Sequence, residues 1–364
     1  MNKQLLETYS DYLLSSFSYT TATGLSVLVE GEISHDKVTR FLSSEELTSS
    51  KLWKIIKPIV REIESEEGVI IVDDTIEEKP STDENEIVSW HYDHSKGKSV
   101  KGINIITALY YSQGVRAPVV YDLVRKTKQV IDEKTNPSAG QASKEKRVSE
   151  KTKNEQYREM LKVCVKNNIR FKYVINDVWY ASSENMMYVK TVLEKEFVMP
   201  IKTNRKIALS QKDKLWGKYV TVSALELKKN DTQKIYLEGV NFPLNLIKQV
   251  FQNEDGSQGV LYLVSSALTL TYDKITTIYQ KRWKVEEYHK SLKQHASLCK
   301  SPTKKVRTQS NHIFAAMYSF FKLEHLSIRA KLSQTALRTK LYISANRTAL
   351  NELENMKTCF AMKF

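Results

Sequence analysis

The sequence is poor in the features that mark a secreted, zinc-bound or membrane-spanning protein. It has only three cysteines, Cys164, Cys299 and Cys359, which lie far apart and form no C-x2-C pair. This spacing argues against a zinc ribbon and a disulfide framework, and it favours a reducing cytoplasm. The first residues lack the long apolar stretch of a signal peptide, and no run approaches the roughly 18 apolar residues of a membrane span.

Acidic residues are also in the minority. The chain carries 42 Asp and Glu against 56 Lys and Arg, a formal net charge of +14. Such an excess predicts attraction to polyanions, most simply nucleic acid. With 364 residues, of which 41% are hydrophobic, the chain can bury a sizeable core in two or three domains or in one elaborated domain.

Four polar residues share one face of a predicted helix. Tyr279, Arg282, Glu286 and Lys293 have offsets that, at about 100° per residue, place them in one narrow stripe. A stripe of one acid, two bases and a phenol is costly to bury, and it suits a helix that lines a cleft for an anionic substrate. The adjacent Glu287 lies about 100° away, so the spacing favours Glu286 over its neighbour.

Aspartates stand at the ends of two predicted strands. The β-branched run VIIVDDT ends in Asp73 and Asp74, and the run FKYVIND ends in Asp177. Taken singly, each aspartate is more often a turn or cap residue. Together, Asp74, Asp177 and Glu286 could converge at one edge of a sheet, where clustered carboxylates repel unless cations neutralise them. Two Mg²⁺ ions would do so and would suit phosphodiester chemistry.

The order of predicted elements is typical of a mixed sheet with helices on its faces. Hydrophobic periodicity and turn residues give the boundaries. The predicted strands are 69–75, 103–112, 116–124, 171–177 and 196–204. The predicted helices are 144–168, 182–195 and 271–294. Residues 79–99 are predicted to be a polar loop, and 112–114 to be a hairpin turn.

The N-terminal region is predicted to be helical, with three short helices. The second of these, from Ser34 as its N-cap, would expose His35, Lys37 and Arg40. Such a group predicts a small DNA-reading module, and an ordinary helical cap on a larger domain is an equal alternative.

Three segments together resemble a known family. VDDT, VINDVWYA and YQKRWKVEEYHKSLK resemble the three catalytic segments of bacterial insertion-sequence transposases with the DDE triad. The last segment has the Tyr-x2-Arg-x3-Glu-x6-Lys (YREK) signature of one branch at every spacing. The resemblance covers about residues 69–320. It implies an RNase H-like catalytic core, with a β-rich insertion between the fifth strand and the glutamate helix. With the helical patterns at both ends of the chain, the predicted fold is mixed α/β.

The hydrophobic patterns, together with the resemblance, predict a division of the chain. The expected regions are an N-terminal helical DNA-binding region at 1–66, the first part of the catalytic core at 67–204, the β-rich insertion at 205–265, the glutamate-bearing helix at 266–300, and a C-terminal helical region at 301–364.

Site residues are carried over position by position. The implied cofactor is a pair of Mg²⁺ ions, with Mn²⁺ as a substitute. Asp73 is the alternative to Asp74, because a slip of one residue exchanges them. The catalytic and metal-binding residues are then Asp74, Asp177 and Glu286, and the signature residues expected to contact DNA are Tyr279, Arg282 and Lys293. The predicted N-terminal helix adds His35, Lys37 and Arg40 to the expected DNA contacts.

The expected function is cut-and-paste DNA transposition. The partners are double-stranded DNA, as transposon ends and as target, and a second copy of the chain in a synaptic complex. The expected location is the bacterial cytoplasm, at the nucleoid, with no membrane association. Two alternatives remain open: a non-catalytic DNA-binding regulator derived from a transposase, and another RNase H-like metal nuclease.

Overall fold

The computed structural model describes residues 2–94, 96–131, 145–227, 230–252 and 255–359. The chain divides into two compact units. One consists of Met1–Leu52 with Tyr288–Phe364, and the other of Trp53–Glu287.

The unit of residues 53–287 is built on one large mixed sheet. Among the described residues this sheet has 11 strands, in the order β10-β9-β11-β12-β13-β8-β7-β1-β3-β2, with β4 also paired to β3. A separate ribbon pairs β5 with β6. The strands are β1 Val69–Glu78, β2 Val88–Asp93, β3 Lys98–Ser112, β4 Val115–Leu123, β5 Lys128–Ile131, β6 Glu145–Val148, β7 Tyr173–Asn176, β8 Glu196–Ile201, β9 Lys206–Ala208, β10 Val220–Thr221, β11 Gln233–Leu237, β12 Leu244–Gln252 and β13 Gln258–Ser265.

The centre of the sheet is the run β4-β3-β1-β7-β8. β1 pairs with β3 antiparallel and with β7 parallel, and β7 pairs with β8 parallel. The first residues of β1, Val69–Val72, are fully buried, as expected for a strand covered on both faces. The predicted hairpin between β3 and β4 is confirmed: Gln113 and Gly114 both have positive φ, the backbone that a two-residue turn requires.

Five strands, β9 to β13, follow β8 in the chain and continue the same sheet. β13 pairs antiparallel with β8, and β12 pairs antiparallel with β13 over eight residues. The hydrogen-bond ladder therefore runs without interruption from the central strands into this segment.

Helices cover the sheet. α5 packs on β3 and β4, and α8 packs on β8. α5 begins with a capping box, in which Thr152 and Glu155 each satisfy the other's backbone N–H. The helices assigned in this part of the chain are α5 Lys153–Lys166, α6 Ser183–Met187 continued by a π-helical turn at Tyr188–Val192, α7 Gln211–Leu215 and α8 Tyr272–Gln280.

The other unit is helical. Its central helix is buried on every face over residues 308–321 and packs against the first, third and last helices. Asn311 on this helix holds the backbone of Leu42, Glu45 and Leu47 through three hydrogen bonds. The helices are α1 Lys3–Ser15, α2 Ala22–Leu28, α3 His35–Ser43, α10 Val306–Ala330 and α11 Gln334–Cys359, and both α4 Ser49–Ile63 and α9 Trp283–Gln294 have residues in each unit.

The mixed α/β class predicted from the sequence is confirmed, and several local predictions are wrong. The loop predicted at 79–99 contains β2, because residues 88–93 of this segment pair with β3. The helix predicted at 144–168 begins only at Lys153, since 145–148 form β6; residue 144 lies outside the described residues. The helix predicted at 182–195 ends at Val192, and α2 was not predicted.

No helix within the described residues is long and apolar enough to span a membrane.

Candidate active site

The two strand-end aspartates meet on neighbouring parallel strands. In the register of β1 with β7, Val72 pairs with Asn176. Asp73 and Asp177 each follow directly after this pair, one along each strand direction. Adjacent strands lie about 4.8 Å apart, and matching positions point to the same face of the sheet. Asp177 keeps an extended backbone, and its carboxylate accepts a hydrogen bond from the Val178 N–H at 2.6 Å. The register therefore brings Asp73 and Asp177 side by side.

The surroundings of Asp73 oppose its ionisation. Desolvation raises the pKa of Asp73 to about 7, and the carboxylates of Asp74 and Asp177 add to this effect, while Arg282 lowers it. Like charges that share a desolvated site behave in this way. Asp73 thus belongs to a cluster of acids that lacks a full complement of positive charge.

Asp74 points to the opposite face of β1, because successive residues of a strand alternate. Its carboxylate accepts hydrogen bonds from Lys153 Nζ at 2.7 Å, from the Tyr180 hydroxyl at 2.7 Å and from Asn104 Nδ2 at 2.8 Å. Desolvation alone would raise the pKa of Asp74, but the Lys153 ammonium and these hydrogen bonds lower it overall. The carboxylate is therefore held ionised on the face covered by α5, which begins at Lys153.

Other polar contacts on this face confirm the assignment of sides. Asp122 of β4 is in the same row of the sheet as Asp74, with Ile106 between them. Asp122 accepts a hydrogen bond from Gln156 of α5 at 2.7 Å. The row of Asp74 therefore faces α5, and the row of Asp73 faces the other side.

Arg282 interacts with three acids. Its guanidinium forms an ion pair with Glu286 at 2.7 Å. It also lowers the pKa of Asp73, and Asp177 in turn raises the pKa of Arg282, although desolvation opposes this second effect. One guanidinium therefore partly neutralises Asp73, Asp177 and Glu286, which come from two strands and a helix.

Tyr279 lies against the same guanidinium. Its ring centroid is 5.8 Å from the Arg282 Cζ atom, and its side chain is buried. Burial raises the pKa of the Tyr279 hydroxyl, and Asp177 and Asp73 raise it further. Tyr279 is therefore a buried phenol that contacts Arg282 and is electrostatically coupled to Asp73 and Asp177.

The helix predicted at 271–294 is interrupted at this point. α8 ends at Gln280, α9 begins at Trp283, and the Arg282 N–H donates to the Tyr279 carbonyl at 2.8 Å in a tight turn. The prediction of one continuous helix is thus wrong. Arg282 lies in the turn between the two helices, and Glu286 lies in the first turn of α9.

The two adjacent glutamates have different partners. Glu286 pairs with Arg282, whereas Glu287 is exposed and pairs with Lys284 at 2.8 Å and with Arg116 of β4 at 3.2 Å. Only Glu286 is connected to the acid cluster through these contacts.

The remaining predicted DNA contacts lie in the helical unit. His35, Lys37 and Arg40 are exposed on α3, whose opposite face buries Val38 and Phe41. The list of predicted contacts is completed by Lys293, which is half-buried near the end of α9.

The acid cluster has the chemistry of a divalent-cation site. Carboxylate oxygens are the donors that hard cations prefer, and the pKa of Asp73 is raised chiefly by desolvation and further by the negative charges of Asp74 and Asp177. Within the part of the chain that the structure describes, no three His, Cys, Asp or Glu side chains already form a ready metal site. Arg282, which pairs with Glu286, supplies positive charge there instead.

Sequence reasoning missed the residues that hold Asp74. Asn104, Lys153 and Tyr180 are each ordinary in their local sequence, and they meet only through the fold. Only Tyr180 could have been suspected from the sequence, because it follows Asp177 by three residues. A one-turn 3-10 helix at Val178–Tyr180 brings its side chain back towards β1.

Two family models match the chain. The model described as DDE superfamily endonuclease matches residues 2–215, and that described as transposase DDE domain matches residues 145–320. No curated protein sequence matches. Enzymes of this class are nucleases that act on DNA and generally use divalent metals, and their domains have the RNase H-like core that was expected. The large mixed sheet agrees with such a core, and the match over residues 2–215 is more than half of the chain. The chain therefore belongs to the family of DDE superfamily endonucleases and is a nuclease of the transposase type.

Proposed function

We propose that this protein is the transposase of a bacterial insertion sequence, from the branch with the YREK signature. It cuts both ends of the element with water as the nucleophile and joins the freed 3′-hydroxyls to target DNA. One observation carries the proposal: Asp73 and Asp177 lie side by side on adjacent strands, and Arg282, which forms an ion pair with Glu286, also lowers the pKa of Asp73, so acids and a phosphate-binding cation are electrostatically coupled. With DNA as its substrate, the protein would act at the nucleoid, in the cytoplasm.

The acids of this cluster would hold two Mg²⁺ ions. When bound, such a pair supplies activation of the attacking water and stabilisation of the leaving oxygen. The Glu286 side chain is about 40% exposed and pairs with Arg282, so it can turn towards an ion. Arg282 is then released to bind a phosphate of the strand being cut, for which its planar fork of N–H donors is suited.

Two neighbouring residues, Asp73 and Asp74, are candidates for the first acid of the triad. Asp74 was expected from the sequence, with Asp73 as the alternative. The register beside Asp177, the common face with Arg282 and the elevated pKa all support Asp73. Asp74, held by three donors on the other face, would instead position Tyr180 and the turn that follows Asp177.

DNA contacts extend beyond the acid cluster. Tyr279 would position the phosphate that Arg282 binds, and Lys293 would contact another phosphate of the transposon end. The α3 residues His35, Lys37 and Arg40 would bind the terminal repeat as part of an N-terminal DNA-binding region at 1–66. Their exposure in the absence of DNA supports this role.

A cleavage assay tests the proposal. The substrate is DNA with the inverted repeats that bracket the coding sequence, incubated with Mg²⁺. Glu286→Gln should abolish cleavage while binding to the end DNA survives. Glu287→Gln is the matched control, because it changes the adjacent residue and removes only the pairs with Lys284 and Arg116. If Glu286→Gln still cleaves, the metal assignment is wrong.

The same assay separates the alternatives. A plain nuclease would cut the end DNA without joining it to target DNA, and a regulator derived from a transposase would bind without cutting. A hairpin on the excised end is common in this branch, and we include it in the proposal; finding only open 3′-hydroxyl ends would remove it.

Pairing of two ends requires two active sites, so we propose a homodimer on DNA. Sizing of the complex with end DNA should give two protein chains and two ends. A stable complex of one chain and one end that cleaves would contradict the dimer.

A further inference from the structure

An exposed aromatic cluster lies directly beside the acid cluster. Trp179 occupies the 3-10 turn between Asp177, which is its N-cap, and Tyr180, whose hydroxyl binds Asp74. Asp177 lies beside Asp73, and Tyr180 binds Asp74 on the other face of β1, whereas the indole between them in sequence is 49% exposed. Two residues of chain span at most about 7 Å, so the backbone of Trp179 lies within that distance of the backbone of Asp177.

The indole is already arranged for stacking. The imidazole of His94 stacks on it, with ring centroids 3.9 Å apart and planes inclined by 18°. Tyr92 of β2 approaches His94 edge-on at 4.9 Å and is itself 53% exposed. The cluster therefore presents a layered aromatic surface, formed from the β2–β3 hairpin and from the turn after β7.

A lysine covers the remaining face of the indole. The Lys202 Nζ atom is 4.4 Å from the centroid of the Trp179 ring. Because His94 occupies one face, the ammonium lies over the other. Lys202 follows β8 directly and is exposed, so its long side chain can leave the ring at little cost.

We propose that Trp179 binds an unpaired DNA base by stacking, next to the strand that is cut. The base would displace the Lys202 ammonium from the face of the indole opposite His94, and the ammonium would then pair with a neighbouring phosphate. Stacking on an aromatic ring together with a nearby cation is the general means by which proteins hold unpaired bases. The inference rests on the proposed function only for the position of the cut strand.

A packing role explains these observations less well. A structural tryptophan gains stability by burial, yet half of this indole remains in contact with water. Trp90 and Tyr92, which point to the same side of β2, are also more than half exposed, and together these rings form an apolar surface. Such a surface beside an active site commonly marks a binding site.

The test uses binding alone and needs neither the transposon ends nor a divalent metal. An oligothymidylate of about 12 nucleotides is the single-stranded probe, and a duplex of the same length is the comparison. Trp179→Ala should weaken binding of the single strand by about 5- to 100-fold and change duplex binding by less than about 2-fold. Trp179→Phe should restore most of the affinity, because an aromatic face is retained.

Two further variants sharpen the result. Lys202→Gln should lower the slope of log affinity against log salt for the single strand by about 0.7, the value for one lost phosphate contact. Trp216→Ala is the matched control, since Trp216 is 60% exposed and has Lys212 Nζ 4.4 Å from its ring centroid, as Trp179 has Lys202.

Thermal unfolding of each variant confirms that it is folded. Unchanged single-strand affinity in folded Trp179→Ala, or a loss confined to Trp216→Ala, would overturn the proposal. Because no cleavage is measured, a failure of the proposed nuclease activity leaves this result interpretable, and a failure here leaves the nuclease assignment intact.

Discussion

The two faces of β1 present the same side chain in opposite electrostatic settings. On one face, Asp74 has three hydrogen-bond donors and a lowered pKa. On the other, Asp73 lies beside Asp177 with a pKa raised to about 7. A carboxylate that is fully satisfied within the protein contributes to structure, whereas an undercompensated one favours a cation from outside. The contrast suggests that the α5 face supports the site and that the Arg282 face performs the chemistry.

The largest expected effect is on cleavage, and it compares the two aspartates directly. Asp73→Asn should lower the cleavage rate by about 10³-fold or more, since removal of a metal ligand costs several kcal/mol of transition-state stabilisation. Asp74→Asn should lower it by about 10- to 100-fold, as expected for a residue that acts through its neighbours. Rates on end DNA with saturating Mg²⁺ measure both, and the reverse order would restore Asp74 as the catalytic acid.

The next effect is on the pH dependence of stability, where the two variants should differ in sign. The pKa of Asp73 in the folded protein lies above its ordinary value of 3.8, so its stabilising contribution is present at low pH and is lost as the pH rises to about 7. Asp73→Asn should therefore increase the free energy of unfolding at pH 8 by roughly 2–4 kcal/mol and have little effect at pH 4.

Asp74 has a lowered pKa in the folded protein, so its contribution is present above its ordinary value of 3.8 and is lost as the pH falls through the folded-state pKa. Asp74→Asn should therefore destabilise the protein at pH 7, by only about 1–2 kcal/mol because its partner Lys153 is 40% exposed at the side chain. Urea denaturation at several pH values, without divalent metal, measures both variants. Parallel pH profiles would show that the two faces do not differ as described.

The smallest expected effect is stabilisation by Mg²⁺. At a concentration about tenfold above its dissociation constant, Mg²⁺ should stabilise the folded protein by about 1.4 kcal/mol, equivalent to roughly 3–6 °C in melting temperature. The shift should be greater at pH 8 than at pH 6, because Asp73 must lose its proton to bind the ion. Thermal melting with and without Mg²⁺ measures it. Asp74→Asn should keep the shift and Asp73→Asn should lose it; an equal shift in both variants would place the ion elsewhere.

The sequence predicts the main strands well because their signals are local. VIIVDDT and FKYVIND are apolar runs that end in aspartate, and both contain strands that bring those aspartates to one level of the sheet. Glu286 was preferred to Glu287 from helical spacing alone, and the two residues do have different partners. The role of each acid remains a prediction.

Other features depend on contacts between distant segments. The choice between Asp73 and Asp74 depends on which face of β1 lies towards Arg282. The sequence of a strand alone does not show which of its residues point to which side of the sheet, because this depends on the neighbouring elements. β2 was missed because its exposed face is polar and aromatic, and its pairing with β3 is what makes it a strand. Likewise, the sequence around Trp179 does not predict that His94 stacks on its indole, because the two residues are far apart in the chain.

The pairing of β13 with β8 has a practical consequence for anyone who trims this protein to its catalytic part. Removing the segment that contains β9 to β13 would leave β8 with a free row of backbone N–H and C=O groups. An unprotected edge of this kind recruits strands from other molecules and promotes aggregation. A truncated protein that precipitates would therefore reveal an uncovered sheet edge, and a lost role in catalysis should not be inferred from it.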